Sequence, residues 1–128
     1  MGKRANPLDV TVILSTRDRS EKLTKCLESL QSQTYSQDRF EIIVVDDGSV
    51  DDTWSVLQRL QNDGFIRAIR QEKRGDAAAR NVAIREAKGD LLLFLEDDII
   101  ACPNLVASHA DTHRSRPEPK LCVLGHRS

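Results

Sequence analysis

The sequence predicts an α/β fold, a three-layer αβα sandwich around a mainly parallel sheet. Five short apolar runs alternate with four helical patterns along the 128 residues, and this alternation favours a parallel sheet with helices on both faces. Leu91–Leu95 is apolar at every position, as in a parallel strand buried on both faces. Acidic residues directly follow two of the runs, at the sheet edge where such folds bind ligands.

The first strand and helix follow from local patterns. Residues 10–14 are mostly β-branched and apolar, which predicts a buried strand. Ser20 is the expected N-cap of the next helix. The apolar positions of that helix recur at i, i+3, i+4 and i+7: Leu23, Cys26, Leu27 and Leu30.

The second unit begins after a polar loop. Residues 40–45 predict a strand, and the turn 48–52 is expected to cap a helix that faces inward with Trp54 and Leu57. Gly64 ends that helix, and weak alternation predicts a third strand over residues 65–69.

The last elements carry equally simple signals. An alanine-rich stretch predicts a helix over residues 77–88, with Gly89 at its C′ position. Pro103 is the expected first residue of a helix that runs to about residue 113. A proline-containing linker at 116–119 then leads to a short strand over residues 121–124.

Composition limits the functional classes. Hydrophobic residues at 39% and charged residues at 30% are ordinary for a soluble globular domain. The net charge of −1 predicts neither nucleic acid nor an anionic membrane as partner. Three scattered cysteines favour buried free thiols in a reducing compartment. With a polar N-terminus and no long apolar run, a cytoplasmic location is expected, although a membrane anchor elsewhere in a longer parent chain stays open.

The two acidic clusters are the main chemical signal. Asp46 and Asp47 follow the second strand, and Glu96, Asp97 and Asp98 follow the fourth. Clustered carboxylates suit a hard divalent cation such as Mg²⁺ or Mn²⁺. In an extended segment alternate side chains point in opposite directions, so at least one of the last three is expected to have another role. The structural alternatives are an Asp-Gly turn and a solvated, helix-capping loop.

A basic segment lies between the clusters. Gly75 and small residues begin the third helix, and helix N-termini bind phosphate through free N–H groups. Arg80 is placed to clamp a diphosphate, or alternatively to pair with Asp76 or Glu86. The loop 15–20 contains no glycine and no GxxxxGK[ST] motif occurs, which argues against the dinucleotide and P-loop classes.

Five segments in register resemble the nucleotide-binding half of the inverting family 2 glycosyltransferases, which have the Rossmann-like GT-A fold. The segments are V-I-L-S-T-R-D-R (12–19), C-L-E-S-L-Q-S-Q-T-Y (26–35), F-E-I-I-V-V-D-D-G-S (40–49), A-A-R-N (78–81) and G-D-L-L-L-F-L-E-D-D (89–98). The resemblance covers nearly the whole chain. It implies residues 1–9 as a tail and residues 10–128 as a nucleotide-sugar-binding domain.

The resemblance also implies roles for the matching positions. Thr16 and Arg17 would lie against the nucleobase, Asp47 would accept a hydrogen bond from it, and Asp46 is its neighbour. Arg80 and Asn81 would line the nucleotide and diphosphate. In the DxD-type motif, Asp97 would contact ribose, and Asp98, with Glu96 in place of the usual first aspartate, would hold Mn²⁺ or Mg²⁺.

The family's catalytic base and acceptor-binding half are expected beyond residue 128. The resemblance therefore implies a UDP- or GDP-sugar donor, an unknown acceptor, and an isolated chain that binds the donor without transferring it. The alternatives are a non-catalytic nucleotide- and metal-binding module and, more distantly, a receiver-like signalling domain. Self-association through the exposed edge of the sheet is also expected.

Overall fold

Five strands and four α-helices alternate in a computed structural model that describes residues 8–115 and 120–124. The order is β1 (Val10–Thr16), α1 (Ser20–Gln31), a 3₁₀ helix (Gln37–Arg39), β2 (Phe40–Asp47), α2 (Thr53–Asn62), β3 (Arg67–Gln71), α3 (Asp76–Glu86), β4 (Leu91–Leu95), α4 (Leu105–Ser115) and β5 (Lys120–Leu124). The predicted α/β alternation is confirmed.

All strand pairs of the sheet are parallel, in the order β3-β2-β1-β4-β5. The chain moves outward from β1 to β3 and then returns to the other side of β1, so the strand order reverses between β1 and β4. Open parallel sheets bind ligands at such a switch point, outside the carboxyl ends of the strands. The order differs from the 2-1-3-4-5 order of receiver-type sheets, which removes that alternative.

The core has two unequal layers. On one face, residues of α1, α2 and α4 pack against β1, β2 and β4, with Leu23, Leu57 and Val106 fully buried. On the other face, α3 contributes Ala79 and Ala83, whose small side chains let the helix lie close to β1 and β2. This second cluster explains why the third helix is alanine-rich.

The structure corrects several predicted boundaries. β1 and β2 each continue two residues further, to Thr16 and Asp47. β3 occupies 67–71 and not 65–69, because the N–H of Phe65 still bonds to the Leu60 carbonyl at 3.2 Å, a contact typical of a helix end. Pairing with β2 begins only at Arg67.

Three helix termini also differ from expectation. Ser20 is the first residue of α1 and not its N-cap, since the chain turns at Asp18, where φ is 52°. α4 begins at Leu105 and not at Pro103, whose carbonyl accepts a hydrogen bond from the Thr34 N–H. α3 ends at Glu86, so Gly89 is not its C′ residue.

Some expectations fall outside the described part of the chain or are changed by it. Most of the N-terminal tail and the 116–119 linker lie outside the described residues. Cys26 is buried as predicted, whereas Cys102 is exposed because it lies in the turn before α4; both are free thiols. No helix among the described residues has the length and apolar character needed to cross a bilayer.

Candidate functional site

A cleft of about 420 Å³ opens at the carboxyl ends of β1, β2 and β4. We call it the switch-point cleft. Its lining consists of Ser15, Thr16, Arg17, Arg19, Asp47, Lys73, Gly75, Arg80, Leu95, Glu96 and Asp97. Four cationic and three acidic side chains therefore surround a polar depression at the position where α/β sheets of this order bind ligands.

The cleft brings together six of the nine residues predicted for the site. Those six are Thr16, Arg17, Asp47, Arg80, Glu96 and Asp97. The other three lie outside the lining. Asp46 is fully buried at the end of β2, Asn81 is exposed on α3, and Asp98 is partly buried beside Asp97.

Thr16 and Asp97 join the two strands at the switch point. The Thr16 hydroxyl donates to Oδ2 of Asp97 at 2.8 Å, and both side chains are buried. Nη1 of Arg19 lies 3.4 Å from Oδ1 of Asp97 and 3.8 Å from Oδ2 of Asp98. One guanidinium thus lies between two carboxylates that would otherwise repel each other.

The acidic cluster is a turn and not an extended segment. The N–H of Ile99 approaches the Glu96 carbonyl at 3.4 Å, and Glu96 itself is exposed. Because the chain turns here, Asp97 and Asp98 both face Arg19. In the extended segment that the sequence predicted, Asp97 and Asp98 would point in opposite directions and would not share one partner.

Burial is the main cause of the raised pKa values of Asp97 and Cys26. It raises the pKa of Asp97 above its ordinary value, with a further rise from Asp98, although Thr16 and Arg19 oppose the shift. Beneath the turn, the Cys26 thiol lies 3.8 Å from the Glu96 carbonyl. Burial, together with Asp97 and Asp98, raises the pKa of Cys26 to about 12, so this thiol stays protonated at neutral pH.

Asp47 organises the loop between β3 and α3. Its Oδ1 accepts hydrogen bonds from Gln71 Nε2 at 2.8 Å and from the Arg74 N–H at 2.7 Å, and its Oδ2 accepts one from the Gly75 N–H at 2.9 Å. Burial alone would raise the pKa of Asp47, but these donors outweigh it and hold the pKa below its ordinary value. A carboxylate has about four acceptor positions, so Oδ2 retains capacity for a ligand.

Asp46 and Asp18 support the same edge from behind the cleft. Asp46 Oδ1 accepts from the Ser49 N–H at 2.9 Å, while its Oδ2 is buried and accepts no hydrogen bond from the described residues. Asp18 accepts from the N–H groups of Val50 and Asp51 at 2.7 and 3.1 Å, and its own N–H donates to Ser49 Oγ. The loops after β1 and β2 are therefore tied together, which holds Arg17 and Asp47 near each other.

Two charged residues of the cleft, Arg19 and Lys73, were not predicted as site residues. Arg19 reaches Asp97 and Asp98 from the loop after β1, and Lys73 lies in the loop that Asp47 anchors. Lys73 was visible only as part of a charged loop, and no sequence pattern distinguishes a cleft lysine from a surface one. Arg19 follows directly after the first strand's polar residues, and that position was the available signal.

The carboxylates at the acidic turn are compatible with a divalent cation that takes most of its ligands from phosphate oxygens and water. Among the described residues, no three His, Cys, Asp or Glu side chains are grouped closely enough to hold a metal by themselves. Mg²⁺ sites for nucleotides, however, often use one or two carboxylates and complete their coordination with phosphate oxygens and water. Asp98, whose Oδ1 is buried at the acidic turn, fits that requirement.

Comparison with known sequences identifies relatives of this architecture. The family model described as Glycosyl transferase family 2 matches residues 11–118. An uncharacterised glycosyltransferase, YfnE, from Bacillus subtilis is 37% identical over 91% of this chain, and a validoxylamine A glucosyltransferase from Streptomyces hygroscopicus is 36% identical over the same share. The chain spans 30% and 28% of the lengths of these two relatives.

Solved structures of larger proteins share this fold. Residues 1–349 of TarS from Staphylococcus aureus, in complex with UDP-GlcNAc, match 86% of this chain with a TM-score of 0.79 at 27% identity. A mannosyltransferase from Pyrobaculum calidifontis, in complex with GDP-Man and Mn²⁺, matches 75% with a TM-score of 0.64 at 29% identity. This chain covers 32% and 29% of those two chains.

The sheet order, the cleft at its switch point and the matches along 91% of the sequence lead to one assignment. The chain has the GT-A fold and belongs to glycosyl transferase family 2.

Proposed function

We propose that this chain binds a nucleotide-diphosphate sugar, UDP- or GDP-linked, together with Mn²⁺ or Mg²⁺, for transfer of the sugar to an acceptor. The observation that carries the proposal is the charge distribution of the switch-point cleft. Arg17, Arg19, Lys73 and Arg80 surround it, while Asp47 and Asp97 lie at its base and sides. Cations suit a diphosphate, and carboxylates suit the N–H and O–H donors of a base and a ribose.

The individual roles proposed here are those of the matching family positions, and the cleft lining supports them. Thr16, Arg17 and Asp47 form the base end, where Oδ2 of Asp47 has room for one more donor. Arg80 and Lys73 face the diphosphate, and Asp97 accepts from the ribose. Asp46 supports this end through its bond to the Ser49 N–H. Asn81 follows Arg80 on α3, is exposed outside the cleft lining, and in this proposal contacts a bound donor.

The metal belongs beside Asp98 in this proposal, with the exposed Glu96 as a second ligand. A divalent cation there would supply Lewis-acid stabilisation of the departing diphosphate. Arg19, now between Asp97 and Asp98, would turn toward the diphosphate, because two positive groups would not share the same carboxylates. Structural relatives in complex with UDP-GlcNAc, and with GDP-Man and Mn²⁺, support this reading.

Calorimetric titration with UDP and GDP, with and without Mn²⁺, tests the proposal. We expect Mn²⁺ to strengthen binding of one nucleotide, and Asp98→Ala to weaken the Mn²⁺-dependent binding about tenfold or more, since it removes a charged ligand. Asp38→Ala is the matched control, because that exposed carboxylate borders a different groove near the start of β2. Binding that ignores the metal, or no binding by a folded chain, contradicts the proposal.

The second candidate is a module that holds nucleotide and metal and transfers nothing by itself. The sequence motifs assign no catalytic base within these 128 residues, and sugar transfer with inversion requires a base to deprotonate the acceptor hydroxyl. A transfer assay on the purified chain separates the candidates. Donor binding without turnover favours the module for this chain alone, whereas robust turnover shows that a base is present.

Self-association is a separate proposal about the sheet edge. β5 forms one outer strand and pairs only with β4 among the described strands, so its other side offers backbone groups to a second chain. We expect the mass measured by light scattering to rise with protein concentration. A monomer mass that stays constant over about a hundredfold range of protein concentration would argue against association.

A further inference from the structure

The side chain of Gln33, two residues beyond the end of α1, joins that helix to the start of α4. Its Nε2 donates to the Cys102 carbonyl at 2.7 Å and to the Ser29 carbonyl at 3.2 Å, and its Oε1 accepts from the Val106 N–H at 2.9 Å. The residue is only 9% exposed. One amide therefore bonds to three backbone groups: one on α1, one in the loop before α4 and one in the first turn of α4. The N–H of Val106, in that first turn, has no partner within its own helix.

Neighbouring groups of the same segment make parallel contacts. Ser29 Oγ donates to the Cys26 carbonyl at 2.6 Å and accepts from the Ala101 N–H at 2.9 Å. The Thr34 N–H donates to the Pro103 carbonyl at 2.8 Å. We call these contacts, together with those of Gln33, the α1 clamp. It holds residues 101–106 at four successive points.

The α1 clamp lies directly after the acidic turn. β4 precedes that turn and is held in the sheet between β1 and β5, and the Cys26 thiol approaches the Glu96 carbonyl from below. The clamp begins at Ala101, three residues beyond Asp98. Together with the core packing of Ile99 and Ala101, the clamp holds the chain on the far side of Asp98.

We infer that Gln33 is a positioning residue for Asp98, which sets the metal-dependent part of donor binding without touching donor or metal. The inference rests on the proposed function and extends it to a side chain outside the switch-point cleft. Its physical basis is that a ligand carboxylate binds a cation well only when its supporting shell holds it in place. The buried amide of Gln33 provides that support through the three bonds described.

Gln33→Met separates hydrogen bonding from packing, because methionine has a similar length but neither donates nor accepts well. The matched control is Gln31→Met, an exposed glutamine at the end of α1. Hydrogen exchange of the ligand-free chain is measured first. We expect faster exchange at the N–H groups of Ala101 and Val106 in Gln33→Met, with β1 and β2 unchanged, and no difference in the control.

Calorimetry then measures UDP or GDP binding with and without Mn²⁺ in the same variants. For Gln33→Met we expect the Mn²⁺ enhancement of binding to fall about tenfold, as for the loss of a supporting partner at a metal site, while metal-free binding is nearly unchanged. The inference would be overturned if Gln33→Met kept the full Mn²⁺ enhancement, or if its nucleotide affinity fell equally with and without Mn²⁺. If Gln33→Met does not fold, Ser29→Ala is measured by the same two methods and judged by the same outcomes.

Calorimetry on the wild type and on Gln33→Met distinguishes failure of the inference from failure of the proposed function. A wild-type chain with no response to Mn²⁺ refutes the metal-dependent function and the positioning role with it. A wild-type response to Mn²⁺ combined with a full response in Gln33→Met refutes only the positioning role. The hydrogen-exchange arm uses no ligand and reports on the α1 clamp in either case.

Discussion

Gly89→Ala is expected to destabilise the fold strongly, because a Cβ at this position has no room beside the backbone of β1. A Cβ at this position would lie 2.5 Å from the carbonyl carbon of Val10 and 2.6 Å from the nitrogen of Thr11. Both atoms belong to the backbone of the middle strand, β1, which is paired on both sides and cannot retreat.

The glycine also takes part in the polar contacts at the start of β4. Its N–H donates to Thr11 Oγ1 at 2.8 Å, and that hydroxyl in turn donates to Glu41 at 2.7 Å. The displaced backbone would break these bonds as well as the local packing. We expect a loss of about 3 kcal/mol or more in the free energy of unfolding, at or above the upper end for overpacked sites. Urea unfolding followed by circular dichroism measures it.

Gly64→Ala is the matched control for this prediction. Gly64 has φ of 84°, which alanine tolerates poorly, but a Cβ there would meet nothing within 4 Å. Its cost should be only the backbone strain of about 1–2 kcal/mol. Equal losses in the two variants would show that the close approach to β1 is not the cause of the Gly89 requirement.

Asp47→Asn should release the loop that closes one side of the switch-point cleft. The native carboxylate accepts from three donors on both oxygens, whereas asparagine offers one oxygen and one NH₂ group. In either orientation at least one of the Arg74 and Gly75 N–H groups faces the NH₂ group and is left unsatisfied. We expect a loss of about 1–3 kcal/mol in the free energy of unfolding. Weaker nucleotide binding should accompany it, because Lys73 and Gly75 line the cleft.

The same variant tests the pKa of Asp47. Because the folded-state pKa lies below its ordinary value of 3.8, the unfolded chain binds the proton more tightly. The stabilisation is therefore complete above that ordinary pKa and is lost as the pH falls toward the lower folded-state pKa. The stability difference between wild type and Asp47→Asn should shrink below about pH 4. A difference that stays constant from pH 6 to about pH 3, or an equal effect of Asp38→Asn, would contradict this account.

The fold was predictable because its signals are local and repeated. Alternating strand and helix patterns define a parallel α/β sheet, and Leu91–Leu95 reads directly as a buried strand. The boundaries of β3, α3 and α4 were harder to predict from the sequence, because contacts with residues distant in the chain decide where these elements begin and end. Gln33 and Thr34, for example, hold Cys102 and Pro103 out of α4, and nothing within residues 101–106 indicates this.

The site was partly predictable for the same reason. Acidic residues at strand ends and the motif around Arg80 pointed to four of the residues that the structure places in one cleft, and the family resemblance added Thr16 and Arg17. Hydrophobic periodicity did not separate Asp46 from Asp47, and of the two the family resemblance assigned a base contact to Asp47 alone. The structure separates them: Asp46 bonds to Ser49 behind the cleft, while Asp47 lines it and anchors the loop after β3.

The fold class, the family and the sheet edge at which the cleft opens were predictable from the sequence, because hydrophobic periodicity and short motifs are properties of neighbouring residues. Three contacts became visible only in the folded chain: Arg19 lies between Asp97 and Asp98, Gly89 lies against β1, and Gln33 caps α4. Each of these contacts joins residues far apart in the chain, and no local pattern encodes which distant backbone group a side chain will meet.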